Sequence, residues 1–314
     1  MLEFDAKDYR DFVYGVVPVK FLKRKKQHSF VLWGESLILF WNNGEIRCFK
    51  NHCRHYGLPL DMGRLRENEL ECGFHGWRYN LSNGDLISAP FAKKQPTCNL
   101  FQYKAFAKGG IVFIYTGNPD NFEKATQSIL DNVIEKPASA WTIYETPFYW
   151  AINSSMDFPH FTNHSLFYQF YGIYTIILQK ENLLKKSYTA VMLEETESFF
   201  KFKILESGVE IEVRPFCIEY NDILAKNRWQ MFIMPIDKKS CRFLINIESK
   251  ATNFFFRLAT YFMFYTFIKP LAMPEDQKWL KNSNSYSNQK SHVLCDHDFG
   301  LKNYLRKFFI KPKI

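Results

Sequence analysis

The chain has 314 residues, enough for about two domains and a substantial buried core. Its 46% hydrophobic and 23% charged residues exclude a disordered, collagen-like or low-complexity chain. Lys and Arg number 41 against 32 Asp and Glu, a net charge of +9, and seven cysteines spread over this length do not make a small disulfide scaffold. The outlier is aromatic content, with 32 Phe, 17 Tyr and 7 Trp.

The first twenty residues carry Glu3, Asp5, Lys7, Asp8, Arg10 and Asp11 and contain no apolar run of signal-peptide length. A cytoplasmic, reduced protein is expected, with cysteines serving as thiols or metal ligands. From about Gln27 to Thr116 short strands alternate with turn signals. His28–Trp41 reads as one strand, Asn42-Asn43-Gly44 as a hairpin turn and Glu45–Lys50 as the returning strand. Arg78–Leu81, Asn83-Gly84 and Asp85–Ser88 repeat that logic, and Gly109-Gly110 precedes a strand at Ile111–Tyr115.

The texture changes near residue 118, which divides the chain into domains 1–118 and 119–314. Asp120–Glu135 reads as helix, capped by Asn118 with Pro119 at its first position. Phe167–Gln179, Ser187–Leu193, Phe199–Val213, Arg228–Pro235 and Ser240–Glu248 read as strands of one antiparallel sheet. Helix returns at about Asn253–Ile268 and again after Pro274. Phe254–Met273 is the most apolar stretch, but Arg257 and Lys269 leave only Leu258–Ile268 uninterrupted, too short to span a bilayer. A buried or surface-lying helix is expected there. The fold class is α+β: an all-β domain followed by an antiparallel sheet flanked by helices.

The chemistry concentrates in the first half. Cys53-Arg54-His55 is followed, after sixteen intervening residues, by Cys72-Gly73-Phe74-His75. Two loops that each offer a thiolate and an imidazole suit a two-iron cluster, with Cys53 and Cys72 on one iron and His55 and His75 on the other. Neutral imidazoles in place of two thiolates remove negative charge and raise the reduction potential. Zinc is the rival, since two Cys and two His also suit that ion. The order Cys-x-His then Cys-x-x-His differs from the usual zinc spacing, and the surroundings read as hairpin loops instead of a finger helix.

Asn51-His52-Cys53-Arg54-His55-Tyr56-Gly57-Leu58-Pro59-Leu60 and Cys72-Gly73-Phe74-His75-Gly76-Trp77-Arg78-Tyr79 resemble the two cluster loops of Rieske domains, specifically those of the Rieske non-heme iron oxygenases. The resemblance covers about residues 28–117, including Gly84 and Pro90. Neither loop has the extra cysteine found in Rieske proteins of respiratory complexes.

That resemblance implies a [2Fe-2S] Rieske cluster and a mononuclear Fe(II) held by two His and one carboxylate. His160 and His164, in Asp157-Phe158-Pro159-His160-Phe161-Thr162-Asn163-His164, are the candidate His pair. Three residues separate them where the family has four, and Pro159 disfavours regular helix within the segment. Met273-Pro274-Glu275-Asp276-Gln277-Lys278 resembles the family segment whose Asp binds the iron, giving Asp276 as third ligand and Glu275 as the fallback. Both acids also suit the first turn of a helix after Pro274. Cys295-Asp296-His297-Asp298 has metal-ligand residue types but reads as a solvated segment. By resemblance Asp157 bridges to His75, the second Rieske histidine, of a neighbouring subunit in a homotrimer. There a carboxylate accepting from the free N–H of a metal-bound imidazole orients the ring.

The implied activity uses O₂ and externally supplied electrons to hydroxylate, demethylate or desaturate a small apolar organic substrate, ring-shaped or lipid-like. Aromatics from Phe158 to Tyr174, with Phe232, Phe254–Phe256 and Phe262–Phe267, are candidate pocket residues. Without a dinucleotide fingerprint the electron source is a separate reductase or ferredoxin. The +9 charge fits docking of an acidic donor better than a nucleic-acid partner, and none is expected. The segment from Lys302 to Lys313 mixes cations with aromatics and suits peripheral contact with an acidic bilayer. An electron-transfer Rieske protein with a non-catalytic second domain is the alternative.

Overall fold

The computed structural model describes residues 11–42, 44–135, 137–146, 148–156, 189–222, 226–274, 277–278, 281 and 298–309. The chain divides into two compact units, Asp5–Glu135 and Lys136–Ile314.

The first unit is built from two antiparallel sheets. Strands β1 (Val13–Pro18), β2 (Gln27–Leu32), β3 (Glu35–Asn42), β4 (Glu45–Lys50), β9 (Gln102–Lys108) and β10 (Ile111–Tyr115) form one, in the order β1-β10-β9-β4-β3-β2. Four short strands, β5 (Arg64–Arg66), β6 (Glu69–Glu71), β7 (Arg78–Asn80) and β8 (Leu86–Ser88), form the other in sequential order. A short helix, α1 (Val19–Lys25), joins β1 to β2. Where one strand was expected over His28–Trp41, a hairpin stands, turning at Trp33 and Gly34 with φ of 51° and 79°. A tryptophan is an unusual occupant of a left-handed position, and its indole N–H donates to the Tyr14 hydroxyl at 3.1 Å. The expected Glu45–Lys50 and Ile111–Tyr115 strands stand as read.

Asn118 caps the next segment through its side chain, which accepts from the Asp120 N–H at 3.1 Å. A 3-10 turn at Pro119–Asn121 leads into helix α2 (Phe122–Asn132). Phe122 packs edge-on against Phe106, with ring centroids 5.7 Å apart, and so ties this helix to the first unit.

The second unit holds one seven-stranded antiparallel sheet, as the strand pattern anticipates. Its order is β11 (Ala138–Tyr144), β17 (Cys241–Ser249), β16 (Asn227–Pro235), β15 (Cys217–Asp222), β14 (Glu210–Arg214), β13 (Phe200–Ile204) and β12 (Ala190–Glu195). The strand expected over Phe199–Val213 is a hairpin, because Gly208 takes φ 70° and reverses the chain after Ile204. Strands β11 and β15 were not anticipated, and Phe167–Gln179 lies outside the described residues.

One sheet face, with Ile211, Ile218, Tyr220, Met231 and Ile247, is apolar. Helix α3 (Phe148–Met156) packs against strands β15, β16 and β17. It is held at its end, where the Ser155 carbonyl accepts from the Tyr220 hydroxyl and Met156 lies against Gly300, a position where an added Cβ would meet the Met156 Cβ at 3.0 Å.

The opposite face carries a polar row. Glu219 takes a bidentate pair from Arg228, both contacts 2.7 Å, and a third bond from the Gln230 amide at 2.7 Å. Those bonds offset the cost of burying a carboxylate at 6% exposure. Among the described residues no helix is long and apolar enough to cross a membrane.

Candidate cluster site

Two loops of the first unit meet, one leaving β4 and one joining β6 to β7, and both share a backbone pattern. The Cys53 N–H donates to the Leu58 carbonyl at 2.8 Å and the Gly57 N–H returns to the Cys53 carbonyl at 2.9 Å. In the second loop the Cys72 N–H donates to the Trp77 carbonyl at 2.8 Å and the Gly76 N–H returns to the Cys72 carbonyl at 3.1 Å. Each loop closes on a glycine in the left-handed region, Gly57 at φ 74° and Gly76 at φ 68°, where a Cβ carries a steric penalty.

Buried Asn51 fixes where the first loop starts. Its backbone N–H and side-chain amide both donate to Ser36, at 2.9 and 3.1 Å, and its Oδ1 accepts from the Asp61 N–H at 2.9 Å. Gly73 lets the second loop pass close to the chain around Met62, whose carbonyl oxygen would lie 2.7 Å from an added Cβ.

This frame sorts the four candidate ligands by solvent access. The Cys53 and Cys72 thiols are each 3% exposed and join a core with Phe49, Leu60, Leu70, Tyr79 and Leu81. The His55 and His75 rings are exposed, with centroids 4.8 Å apart. Trp77 lies parallel to His55 at 4.6 Å and an interplanar angle of 6°. Tyr56 and Phe74 flank the two imidazoles at 4.2 and 4.0 Å.

Burial pushes the Cys53 thiol up, the Tyr79 hydroxyl and the His55 backbone N–H favour the thiolate, and the neighbouring Cys72 adds to the rise. Burial likewise keeps the Tyr79 phenol protonated. It accepts from the Arg54 N–H at 3.1 Å and would donate to Cys53 Sγ, 3.3 Å away, once that sulfur is a metal-bound thiolate.

The donor set fits a [2Fe-2S] cluster of mixed ligation. Two thiols sit together on the dry side and two imidazoles together on the wet side, which would give each iron of such a cluster two protein ligands. A single zinc would need three or four donors converging on one point. Among the described residues no three His, Cys, Asp or Glu side chains do so.

The other candidates are placed differently. Asp157, His160, His164, Glu275 and Asp276 lie outside the described residues, as do Cys295, Asp296, His297 and the aromatics from Phe158 to Tyr174. Phe232 and Phe264 are buried, but Phe254, Phe255 and Phe262 are exposed, so these three line no interior pocket. Sequence reasoning gave no role to Tyr79, Trp77 or Asn51. Tyr79 and Trp77 stand inside the quoted motif, and their contacts appear only when the loops are assembled.

Comparison with known proteins agrees with this geometry. Residues 12–104 match the family model described as the Rieske [2Fe-2S] domain. The oxygenase component of 3-ketosteroid-9-alpha-monooxygenase from Mycolicibacterium smegmatis is 32% identical over 107 residues, which cover 32% of this chain and 28% of that protein. The match thus spans under a third of that relative's own length.

The terminal oxygenase of carbazole 1,9a-dioxygenase from Novosphingobium sp. KA1 superposes with a TM-score of 0.71 at 16% identity, covering 98% of this chain and 95% of that one. The structure of the reduced complex between oxygenase and ferredoxin in carbazole 1,9a-dioxygenase gives a TM-score of 0.69 at 18% identity, covering 95% of this chain and 88% of that one. The chain carries a Rieske [2Fe-2S] domain. Its fold, an all-β cluster domain followed by a helix-flanked antiparallel sheet, is similar to that of the terminal oxygenase of carbazole 1,9a-dioxygenase.

Proposed function

We propose that this protein is a Rieske-type oxygenase that uses O₂ and externally supplied electrons to hydroxylate, demethylate or desaturate an apolar organic substrate, ring-shaped or lipid-like. The observation that carries the reading is the division of the cluster site, paired thiols inside and paired imidazoles outside, on a chain with the fold of terminal oxygenases. The exposed His55 and His75 leave that edge of the cluster site open to a redox partner, while the packed Cys53 and Cys72 side keeps water from the cluster. Trp77 holds the plane of His55.

In this reading His160, His164 and Asp276 would hold a mononuclear Fe(II), which would supply the activation of O₂ beside the substrate. Asp157 accepts from the free N–H of His75 of a neighbouring copy in a homotrimer and fixes that ring. The described helix α3 supports the placement, since its clamped end directly precedes Asp157. A separate ferredoxin or reductase is the electron donor, in keeping with the ferredoxin-bound oxygenase of similar fold. The steroid named for the monooxygenase relative supports an apolar substrate. The catalytic domain follows the cluster domain and helix α2, and a reducing compartment, the cytoplasm, suits the free thiols found among the described cysteines.

Iron and acid-labile sulfide analysis with O₂ uptake tests this. Three irons and two sulfides per chain, with O₂ consumption that depends on a reductant and a ring or sterol-like compound, are expected. Asp276→Ala should keep the cluster absorption spectrum and lose one iron. Retention of all three irons would overturn that ligand assignment. Two irons in the unaltered protein, with no O₂ uptake, would make it an electron carrier.

A further inference from the structure

Helix α4 (Phe254–Met263) starts at an Asn253 cap, whose side chain accepts from the Phe255 N–H at 2.8 Å. It continues as a wider π-helical segment over Phe264–Ala272. It carries apolar residues on both its inner and its outer side. The polar Thr260 faces inward beside Phe264, both buried, and its hydroxyl donates to Asn227 Oδ1 at 3.4 Å. Phe254, Phe255, Leu258, Phe262 and Tyr265 face outward, each between 51% and 76% exposed. At about 100° per residue these five fall within an arc of roughly 100°, a continuous apolar stripe on the solvent side. Such a contiguous exposed patch marks an interaction surface.

Charge identifies the partner. Lys250, Arg257 and Lys269 are exposed around the stripe, and no Asp or Glu occurs between Lys250 and Pro274. We propose that this face docks on a bilayer surface containing anionic phospholipid, with α4 lying in the headgroup plane. The aromatic and leucine side chains enter the acyl boundary, and the three cations pair with lipid phosphates and carboxylates. A second copy of the chain is a poorer fit, because a two-fold contact through this stripe brings the same cations against each other with no acid on the stripe to answer them. Nor does the helix cross the bilayer: the described residues contain no helix apolar and long enough.

The described part of the basic segment near the C-terminus packs its aromatic side inward, with Lys302 and Arg306 exposed. Phe308 packs on Tyr304 and Phe200, with centroids at 5.3 and 6.2 Å, and Arg306 pairs with Glu195 at 2.8 Å. Helix α4 is therefore the surface that carries the inference, and it stands whether or not the oxygenase reading does.

The experiment is flotation of the full-length, cluster-loaded protein with phosphatidylcholine vesicles, with and without phosphatidylserine. Binding to the serine-containing vesicles, weakened by salt, is expected. The Leu258→Glu/Phe262→Glu double variant should lose it by about tenfold or more, with its near-ultraviolet dichroism and cluster spectrum unchanged. Because the double variant could perturb folding, Phe262→Trp supplies a gentler probe. Its emission, taken as the difference from the unaltered protein, should shift to the blue only with anionic vesicles. Absence of vesicle binding by the unaltered protein overturns the proposal. So does an unshifted difference emission from the vesicle-bound Phe262→Trp variant, or a glutamate variant that changes oligomeric state while binding vesicles as before.

Discussion

The two cluster loops share a backbone and differ in where they put the histidine. In both, the cysteine N–H reaches the carbonyl five residues on and its carbonyl is closed by a left-handed glycine four residues on. Yet the imidazole stands two residues after Cys53 and three after Cys72. Their surroundings differ too. After Cys53 comes Arg54, whose N–H donates to Tyr79, whereas after Cys72 comes Gly73, where the chain around Met62 leaves no room for a side chain. The pair teaches that the placing of the candidate ligands rests on the shared backbone frame, while their surroundings rest on side chains that only one loop has.

The largest effect should be the one in which the loops behave alike. Cys53→Ser and Cys72→Ser are each expected to abolish the cluster, read as loss of visible absorption and of two irons per chain. Survival of a coloured cluster in either variant would break the equivalence.

Smaller and unequal effects should follow at the glycines. Gly73→Ala is expected to destabilise by about 2–3 kcal/mol, since the new Cβ meets a backbone oxygen that cannot swing away. Gly57→Ala has nothing within 4 Å and pays only for its positive φ, about 1–2 kcal/mol. Denaturant midpoints of the two variants decide whether Gly57 is indeed the milder.

The third difference is electronic. Tyr79 donates to Cys53 Sγ, and a donor favours the more negative, reduced cluster. Tyr79→Phe should lower the reduction potential by on the order of 50 mV, about 1 kcal/mol of differential hydrogen bonding in a one-electron couple. An unchanged potential in protein-film voltammetry would remove Tyr79 from the tuning of this loop.

The smallest effect concerns the cysteines outside the pair. Burial pushes the Cys217 thiol up to about 12, so below that pH it stays protonated. At pH 8 it stays the unreactive thiol, and native Cys217 should resist alkylation until the protein unfolds. Mass spectrometry of iodoacetamide-treated protein checks this.

Much of the site was legible because it is local. Cys53 with His55 and Cys72 with His75 are contiguous motifs, and hairpin signals flank the second. The Asn118 cap was legible for the same reason, as its acceptor and donor lie two residues apart. The hairpins at Trp33-Gly34 and Gly208 were hidden inside apolar runs whose alternation continues through the turn. Strand β15 was overlooked because Glu219 and Asn221 interrupt its apolar pattern, and in the fold they occupy the polar face of the sheet.

By itself, the sequence determined the two Cys–His loops, the α+β class and the antiparallel sheet described in the second unit, since spacing and periodicity are properties of neighbours along the chain. Only the tertiary structure decided that the thiols turn inward and the imidazoles outward. It also decided that Tyr79, 26 residues from Cys53, supplies the donor, and that the aromatics of α4 face solvent. Each of these depends on which surfaces meet. A helix with apolar residues all around it does not declare which side the core will take until Asn227 offers Thr260 a buried partner.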